Sequence, residues 1–299
     1  MNDITHLVFS GCAFRSICLL GVLRYLYIEQ KHTTIHNVAG SSMGSLFCLV
    51  FALKIPYEKI EEIIKETITD IEISSADKNS LINLFYKNGI ESSTKYLKLI
   101  KKYVMERYNV DDITFLELSK KTGINLFVSS TNINKNVNKI FCIDDTPNVS
   151  IFDAVASSMA IPFLAYPIEI DGEYYIDGGL TDNFPIKIFK NIPKENILGV
   201  AIKIPDDFKS HVYEKNTELS LFQYTSQLFN LLFLNSAHHT LVHNLSDNIL
   251  IIEESPIDEW IKLEIKQDNI LKIITLHEID LLIIKGFADT NNYMKHKLL

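Results

Sequence analysis

Residues 38–50 read Val-Ala-Gly-Ser-Ser-Met-Gly-Ser-Leu-Phe-Cys-Leu-Val and place Ser42 at the centre of a G-x-S-x-G motif. The apolar run of residues 35–39 predicts a buried strand before the motif, and the apolar, proline-free run of residues 45–53 predicts a buried helix after it. A serine on the tight turn between such a strand and helix holds its hydroxyl outward, beside the amides of the helix N-terminus. The motif alone leaves two interpretations open: Ser42 is a nucleophile, or it only caps the helix.

The composition is typical of a globular protein with a large core. Of the 299 residues, 47% are hydrophobic and 22% are charged, and a chain of this length can form one large domain. The net charge of −8 argues against a broad nucleic-acid-binding face, so no nucleic-acid partner is expected. It gives no general attraction to anionic membranes either, so any contact with lipid must be local and apolar.

The cysteines and the termini predict a cytoplasmic protein. The four cysteines show no paired metal-ligand spacing, and three of them lie in apolar runs, where free cysteine behaves as a small buried hydrophobe. This usage favours a reducing, intracellular setting, and no metal is expected. The N-terminal residues lack the pattern of a signal peptide, and no apolar window is long enough to span a membrane. Any membrane association is therefore expected to be peripheral.

Short apolar strands alternate with helices, which predicts an α/β fold of three layers (α/β/α) with a mostly parallel central sheet. Residues 57–121 differ, because they are charged, helical in period and poor in strand signals, and we interpret them as a helical insertion. Residues 1–210 are predicted to form the core and residues 211–299 a helical extension packed on it. Predicted strands are 7–9, 35–39, 124–129, 137–143, 166–170, 174–176, 197–204 and 248–252; predicted helices are 17–27, 45–53, 58–68, 96–105, 151–159, 219–243 and 276–296.

A second candidate element is the loop after the first predicted strand. Residues 10–16 read Ser-Gly-Cys-Ala-Phe-Arg-Ser and open the first helix. Small residues let backbone amides approach a ligand, and a helix N-terminus favours negative charge, as an oxyanion requires. The alternative is a plain strand-to-helix connection with a solvated Arg15.

A third candidate is Asp177, which ends a predicted strand and is followed by two glycines. Those glycines let another segment come close to the carboxylate, so Asp177 is a candidate base for a serine nucleophile. The structural alternative is a turn in which Asp177 accepts hydrogen bonds from its own following amides. Asp182 is a competing acid nearby, with the pattern of a cap before Pro185.

Together, these three motifs resemble the patatin-like phospholipase family. The family pattern has a G-G-G-x-[KR]-G loop after the first strand, then a G-x-S-x-G turn, then a distant D-G-[GA]. Here the counterparts are residues 11–16, 40–44 and 177–179, in the same order. Residues 156–163 also resemble the A-S-x-A-x-P segment that precedes the family's aspartate. The resemblance spans residues 5 to 205.

The resemblance implies a phospholipase A-type lipid acyl hydrolase, a serine hydrolase acting on carboxylic esters of phospholipids or other acyl lipids. Ser42 would be the nucleophile of a Ser–Asp dyad and Asp177 its base. No cofactor, metal or calcium is implied. The oxyanion hole would be formed by the amides of Cys12 and Ala13, with Gly11, and the supporting positions would be Arg15, Gly40, Gly44, Gly178 and Gly179.

The loop departs from the family pattern at Cys12, Ala13 and Ser16, where glycines are expected. Because backbone amides form an oxyanion hole, side-chain identity need not matter, but a Cβ would strain any position that requires positive φ. Losing one oxyanion donor costs roughly 100- to 1,000-fold in turnover. A catalytically weak or inactive lipid-binding protein is therefore an alternative.

A Ser–Asp–His carboxylesterase is a further alternative, because His238, His239 and His243 follow Asp177 in the chain. All three lie in the predicted helix 219–243, which favours surface or structurally satisfied histidines. The apolar face predicted for this helix suggests the hypothesis of contact with a membrane surface, with residues 213–224 predicted as a mobile approach. Such faces more often pack in a core.

Overall fold

Strands and helices alternate along much of the chain. A computed structural model describes residues 3–69, 83–84, 86–203, 248–253 and 275–297. The strands are β1 (His6–Phe9), β2 (Asn37–Ser41), β3 (Gly89–Glu91), β4 (Asn125–Asn132), β5 (Val137–Phe141), β6 (Phe163–Ala165), β7 (Ile168–Ile170), β8 (Glu173–Asp177), β9 (Ile197–Ile202) and β10 (Ile249–Ile252). The α-helices are α1 (Cys18–Ile28), α2 (Met43–Ala52), α3 (Tyr57–Thr69), α4 (Lys98–Tyr108), α5 (Phe115–Thr122), α6 (Ile151–Ser158) and α7 (Leu276–His296).

The central sheet is mixed and mostly parallel, which confirms the predicted α/β fold. Its strand order is β10-β9-β1-β2-β4-β8-β7, and β5 also pairs with β4. The pairs from β10 to β4 are parallel, whereas β5, β8 and β7 pair antiparallel. Phe9 of β1 lies opposite Gly40 of β2. The loop after β1 and the turn after β2 therefore leave the sheet side by side, at the edge where sites of such sheets lie.

The sheet is buried on both faces. Leu7 and Phe9 belong to the larger apolar cluster, while Val8 between them belongs to the second, as the period-two geometry of a strand requires. The larger cluster includes residues of α1, α2, α6 and α7. The second includes residues of the segment 184–192, with its 3₁₀ helix Ile186–Phe189. The helix α2 is buried along its whole length, which explains its almost uniformly apolar sequence.

The region predicted as a helical insertion is mostly helical where the structure describes it. The helices α3 and α4 lie where amphipathic helices were predicted, and α5 follows them. A short strand, β3, also lies here and pairs with β6; neither strand was predicted, because three residues are too few to show an alternating pattern. The predicted polar stretch 70–80 and the predicted helix 219–243 lie outside the described residues.

The chain after residue 210 contributes both a strand and a helix. The strand β10 pairs with β9 in the central sheet, and α7 packs against α1. The two helices approach closely because Gly21 and Gly286 have no side chain. A Cβ at Gly21 would collide with the backbone of Ile283, and a Cβ at Gly286 would collide with that of Cys18. The division at residue 210 stays a prediction. Among the described helices, none is both long and apolar enough to cross a membrane.

Candidate active site

Ser42 lies on a sharp turn between β2 and α2. Its backbone has φ 48° and ψ −132°, a strained combination for a residue with a side chain. The Ser42 hydroxyl makes no capping hydrogen bond to α2; it donates to Oδ2 of Asp177 at 2.7 Å. Ser42 therefore occupies the cap position without acting as a side-chain cap, which contradicts the capping interpretation.

Gly40 and Gly44 make this turn sterically possible. A Cβ at Gly40 would lie 2.6 Å from the Gly44 carbonyl, and a Cβ at Gly44 would lie 2.6 Å from the carbonyl oxygen of Ser10. Both distances are shorter than real carbon contacts, so β1, β2 and α2 meet here only because these side chains are absent. This close packing holds Ser42 at the edge of the sheet.

Asp177 ends β8, and both of its carboxylate oxygens are engaged. One oxygen accepts from Ser42, and the other accepts the Gly179 amide at 2.7 Å. A Cβ at Gly178 would overlap the Ser129 carbonyl, so the turn after Asp177 lies tightly against β4. The predicted turn and the predicted contact with the serine are thus both present.

The environment of Asp177 favours proton exchange near neutral pH. The side chain is fully buried, and burial raises the pKa of its carboxyl from 3.8 to about 7, while the hydrogen bonds from Ser42 and Gly179 oppose that rise. A carboxyl with this pKa can accept a proton in one step and return it in the next.

Ser158 of α6 holds the backbone of the turn at Ser42, and the sequence patterns did not single it out for this. Its hydroxyl accepts the Ser42 amide at 2.8 Å and donates to the Ser129 carbonyl at 2.6 Å. The link from Ser42 to Ser158 joins residues 116 apart in the chain. The only sequence signal was that Ser158 lies in the segment 156–163 that resembles the family.

Replacing Ser158 with alanine is expected to lower both stability and turnover. The buried Ser42 amide would lose its acceptor, which costs about 1–3 kcal/mol of unfolding free energy. A displaced Ser42 should also lower kcat roughly tenfold, equivalent to about 1.4 kcal/mol on the barrier. Denaturant melts and ester hydrolysis measure the two effects.

The matched control is Ser157→Ala, because Ser157 is equally buried and its hydroxyl bonds Ala154 and Ser130 instead. An equal kcat loss in both variants would contradict a specific role for Ser158.

The loop after β1 lies against Ser42, but two of its three predicted oxyanion amides are already engaged. A Cβ at Gly11 would lie 2.7 Å from Cβ of Ser42. The Gly11 amide donates to the Asn183 carbonyl at 3.2 Å, and the Cys12 amide donates to Oγ of Ser16 at 2.9 Å. Ala13 has φ 44°, so the predicted strain of a Cβ in this loop is present at this residue.

Three further side chains near the site correct or extend the sequence interpretation. Arg15 is buried, with 8% of its surface exposed, so the interpretation of a solvated Arg15 is wrong. The Asp182 carboxylate accepts a hydrogen bond from the Phe184 amide at 3.2 Å, as its cap-like pattern predicted.

Asn183 was not identified from the sequence. Its Nδ2 donates to the Gly11 carbonyl at 2.9 Å, and this bond links the loop to the chain that follows Asp177.

Other candidate groups are more distant or are not described. Within the described ranges, no group of three or more His, Cys, Asp or Glu side chains could hold a metal ion. All four cysteines are buried and unbridged. His238, His239 and His243 lie outside the described residues.

Comparison with known proteins identifies the family of this chain. The model of the patatin family, described as patatin-like phospholipase, matches residues 7–190. The chain belongs to the patatin-like phospholipase family. This match includes the loop after β1, the turn at Ser42 and the aspartate at the end of β8, so the elements that form the site are the ones the family model covers.

Two viral proteins and one solved structure are similar to this chain. A probable lipid hydrolase of Invertebrate iridescent virus 6 is 33% identical over 216 residues, covering 70% of this chain and 73% of that protein. An uncharacterized protein of Acanthamoeba polyphaga mimivirus is 29% identical over 191 residues, covering 63% of this chain and 62% of that protein; this chain thus matches less than two thirds of that relative. The crystal structure of VipD from Legionella pneumophila has a TM-score of 0.57 at 16% identity, covering 99% of this chain and 67% of that one. This last likeness shows the fold alone.

Proposed function

We propose that this patatin-like protein is a phospholipase A-type acyl hydrolase that cleaves ester-linked fatty acids through an acyl-enzyme on Ser42. The observation that carries the proposal is the 2.7 Å hydrogen bond from the Ser42 hydroxyl to the fully buried Asp177 carboxylate. A serine becomes a useful nucleophile when a base takes its proton as it attacks. The strained turn and the raised pKa of Asp177 support the same assignment.

In the first half of the reaction, Oγ of Ser42 attacks the ester carbonyl carbon and its proton passes to Oδ2 of Asp177. The carbonyl oxygen becomes an oxyanion, and the proposed donors are loop amides beside Ser42, including that of Ala13. The helix α2 begins at Met43. The amides of its first turn have no acceptor within the helix, so this end of the helix favours the negative charge of an oxyanion. Collapse of the intermediate breaks the bond to the alkoxide, which leaves with the proton from Asp177.

In the second half, water takes the place of the departed alcohol. Asp177 accepts a proton from this water, and the resulting hydroxide attacks the acyl carbonyl on Ser42. The bond to Oγ then breaks, Asp177 returns the proton to Ser42, and the fatty acid leaves. Two proton transfers through one carboxylate explain why a pKa near neutrality suits the residue better than the usual acidic value.

Activity is expected to fall on the acid side of neutrality. Protonated Asp177 cannot accept the Ser42 proton, so kcat/KM should decline about tenfold per pH unit below the pKa of about 7. The stability effect has the opposite sign. Because the folded-state pKa is raised, this residue's contribution to the free energy of unfolding is complete below pH 3.8 and is lost as pH rises through about 7. A pH–rate profile together with denaturant melts measures both; a flat kcat/KM between pH 5 and 8 would contradict Asp177 as the base.

The Ser–Asp–His alternative makes a different demand on the chain. In that mechanism the serine donates to a histidine, whereas here the Ser42 hydroxyl donates directly to Asp177. We therefore expect single replacement of His238, His239 or His243 by alanine to leave turnover within about threefold of wild type, since a triad histidine would cost several orders of magnitude. Hydrolysis of a short-chain ester measures this.

An acyl-lipid substrate presented at a membrane surface fits the surroundings of Asp177. The Asp177 amide donates to the Ala160 carbonyl at 2.9 Å. Phe163 and Leu164 follow Ala160 by three and four residues, and their side chains are 46% and 41% exposed. We propose that this apolar pair contacts lipid while the ester reaches Ser42.

The experiment that tests the proposed function is hydrolysis of phosphatidylcholine vesicles in water enriched in ¹⁸O, followed by mass spectrometry of the products. The proposal predicts a lysolipid and a free fatty acid that carries one ¹⁸O atom. Vesicle binding without product would favour the lipid-binding alternative. A parallel reaction contains added lysolipid or glycerol as an acyl acceptor. Acyl groups that appear only on this acceptor would show acyl transfer in place of hydrolysis.

A further inference from the structure

Ser16 engages an amide that the proposed reaction requires. The Cys12 amide donates to Oγ of Ser16 at 2.9 Å, and the Ser16 side chain is fully buried. The same short segment is closed by a second hydrogen bond, from the Arg15 amide to the Cys12 carbonyl at 3.0 Å. The loop is therefore folded onto its own first helical turn, with the Cys12 N–H directed at the hydroxyl.

This engaged amide lies next to the reacting serine. Gly11 immediately precedes Cys12, and a Cβ at Gly11 would lie 2.7 Å from Cβ of Ser42. The Gly11 amide is held by the Asn183 carbonyl, so it is not directed at the nucleophile. Of the three predicted donors, only the Ala13 amide has no hydrogen-bond acceptor within the described ranges.

We propose that Ser16 is a positioning residue that restrains the oxyanion loop by competing with the oxyanion for the Cys12 amide. An amide has one hydrogen, so a full-strength bond to Ser16 and one to the oxyanion exclude each other. During turnover the loop must break the bond to Ser16 before Cys12 can donate to the transition state. The inference rests on the proposed function, because it needs an oxyanion formed at Ser42.

A residue with no side-chain acceptor at position 16 is expected to raise turnover. The bond that has to be broken joins two neutral groups, and one such bond corresponds to roughly a 2- to 10-fold change in an equilibrium. We expect Ser16→Ala and Ser16→Gly each to raise kcat by this factor, with KM unchanged, because the released amide acts only on the transition state. The rate of Ser42 modification by a fluorophosphonate, whose phosphoryl oxygen needs the same donors, should rise by the same factor.

Stability provides a readout that separates restraint from simple structural support. Both substitutions remove the buried acceptor of the Cys12 amide, so the thermal midpoint should fall while kcat rises. A purely structural Ser16 would lower both quantities together. The matched control is Ser93→Ala, because Ser93 is equally buried and its hydroxyl donates to the Ala156 carbonyl at 2.7 Å, away from the loop; it should lose stability without gaining turnover.

The experiment measures fluorophosphonate labelling rates and ester hydrolysis for wild type, Ser16→Ala, Ser16→Gly and Ser93→Ala. Faster labelling and higher kcat in both Ser16 variants, but not in Ser93→Ala, support the proposal. Unchanged or slower labelling of both Ser16 variants, with wild-type Ser42 still labelled, overturns this inference and leaves the proposed function intact. No labelling of Ser42 in wild type or in either variant overturns the proposed function and this inference with it.

Discussion

Ser42→Ala is expected to reduce ester hydrolysis by roughly 10⁴-fold or more, the loss that follows removal of a nucleophile that works as a unit with its base. The variant lacks the oxygen that is proposed to carry the acyl group, so fluorophosphonate labelling should disappear completely. The fold should remain, because the lost hydroxyl makes no capping bond to α2 and bonds only Asp177 among the side chains the structure describes.

Ser41→Ala is the matched control for this variant. Ser41 is the adjacent residue and is fully buried, and its Oγ has no hydrogen-bond partner within the described residues. Its removal should leave labelling and turnover within about twofold of wild type, since it breaks no bond. Residual hydrolysis in Ser42→Ala close to the wild-type rate would contradict a serine mechanism at this position.

Asp177→Asn is expected to lower kcat by roughly 100- to 10,000-fold, the range that a general base contributes. Asparagine has the same shape and can still accept the Gly179 amide through its oxygen, so the turn after β8 should survive. It cannot take the Ser42 proton, so nucleophilic attack loses its base in both halves of the reaction. The decline of kcat/KM below pH 7 should also disappear, because the group that titrates is gone.

Asp182→Asn controls for the loss of a nearby carboxylate. Asp182 is half-buried and lies five residues from Asp177, and among the described residues its carboxylate accepts only a local amide, that of Phe184. It should keep more than a third of wild-type kcat and retain the acidic limb of the pH profile. If Asp182→Asn proved more damaging than Asp177→Asn, the base assignment would have to move to Asp182.

The sequence predicted much of the fold because its strands carry strong local signals. The buried strands β1, β9 and β10 are short apolar runs, and α2 and α7 are continuous apolar or amphipathic helices, so local composition determines their positions. The strand before Ser42 was predicted at residues 35–39 but is β2, Asn37–Ser41. Gly40 and Ser41 of the motif extend the pairing to β4, although glycine and serine are typical of a turn.

The pairing of Ser42 with Asp177 was predicted by the family resemblance and not by spacing. These residues lie 135 positions apart, and no periodicity in a single sequence reports a contact over that distance. Ser158 and Asn183 were missed for the same reason, because each acts through hydrogen bonds to backbone groups that are distant in the chain. The engagement of the Cys12 amide by Ser16 depends on the direction of one N–H group, which residue identity does not specify.

The most direct test of the central claim is to identify the covalent intermediate. Wild-type protein is mixed with a p-nitrophenyl fatty-acid ester, quenched with acid during turnover and mapped by peptide mass spectrometry. We predict one acyl group, attached to Ser42, which accumulates during turnover and is absent from Ser42→Ala. Turnover with the acyl group on another residue, or with no covalent adduct at all, would contradict the account.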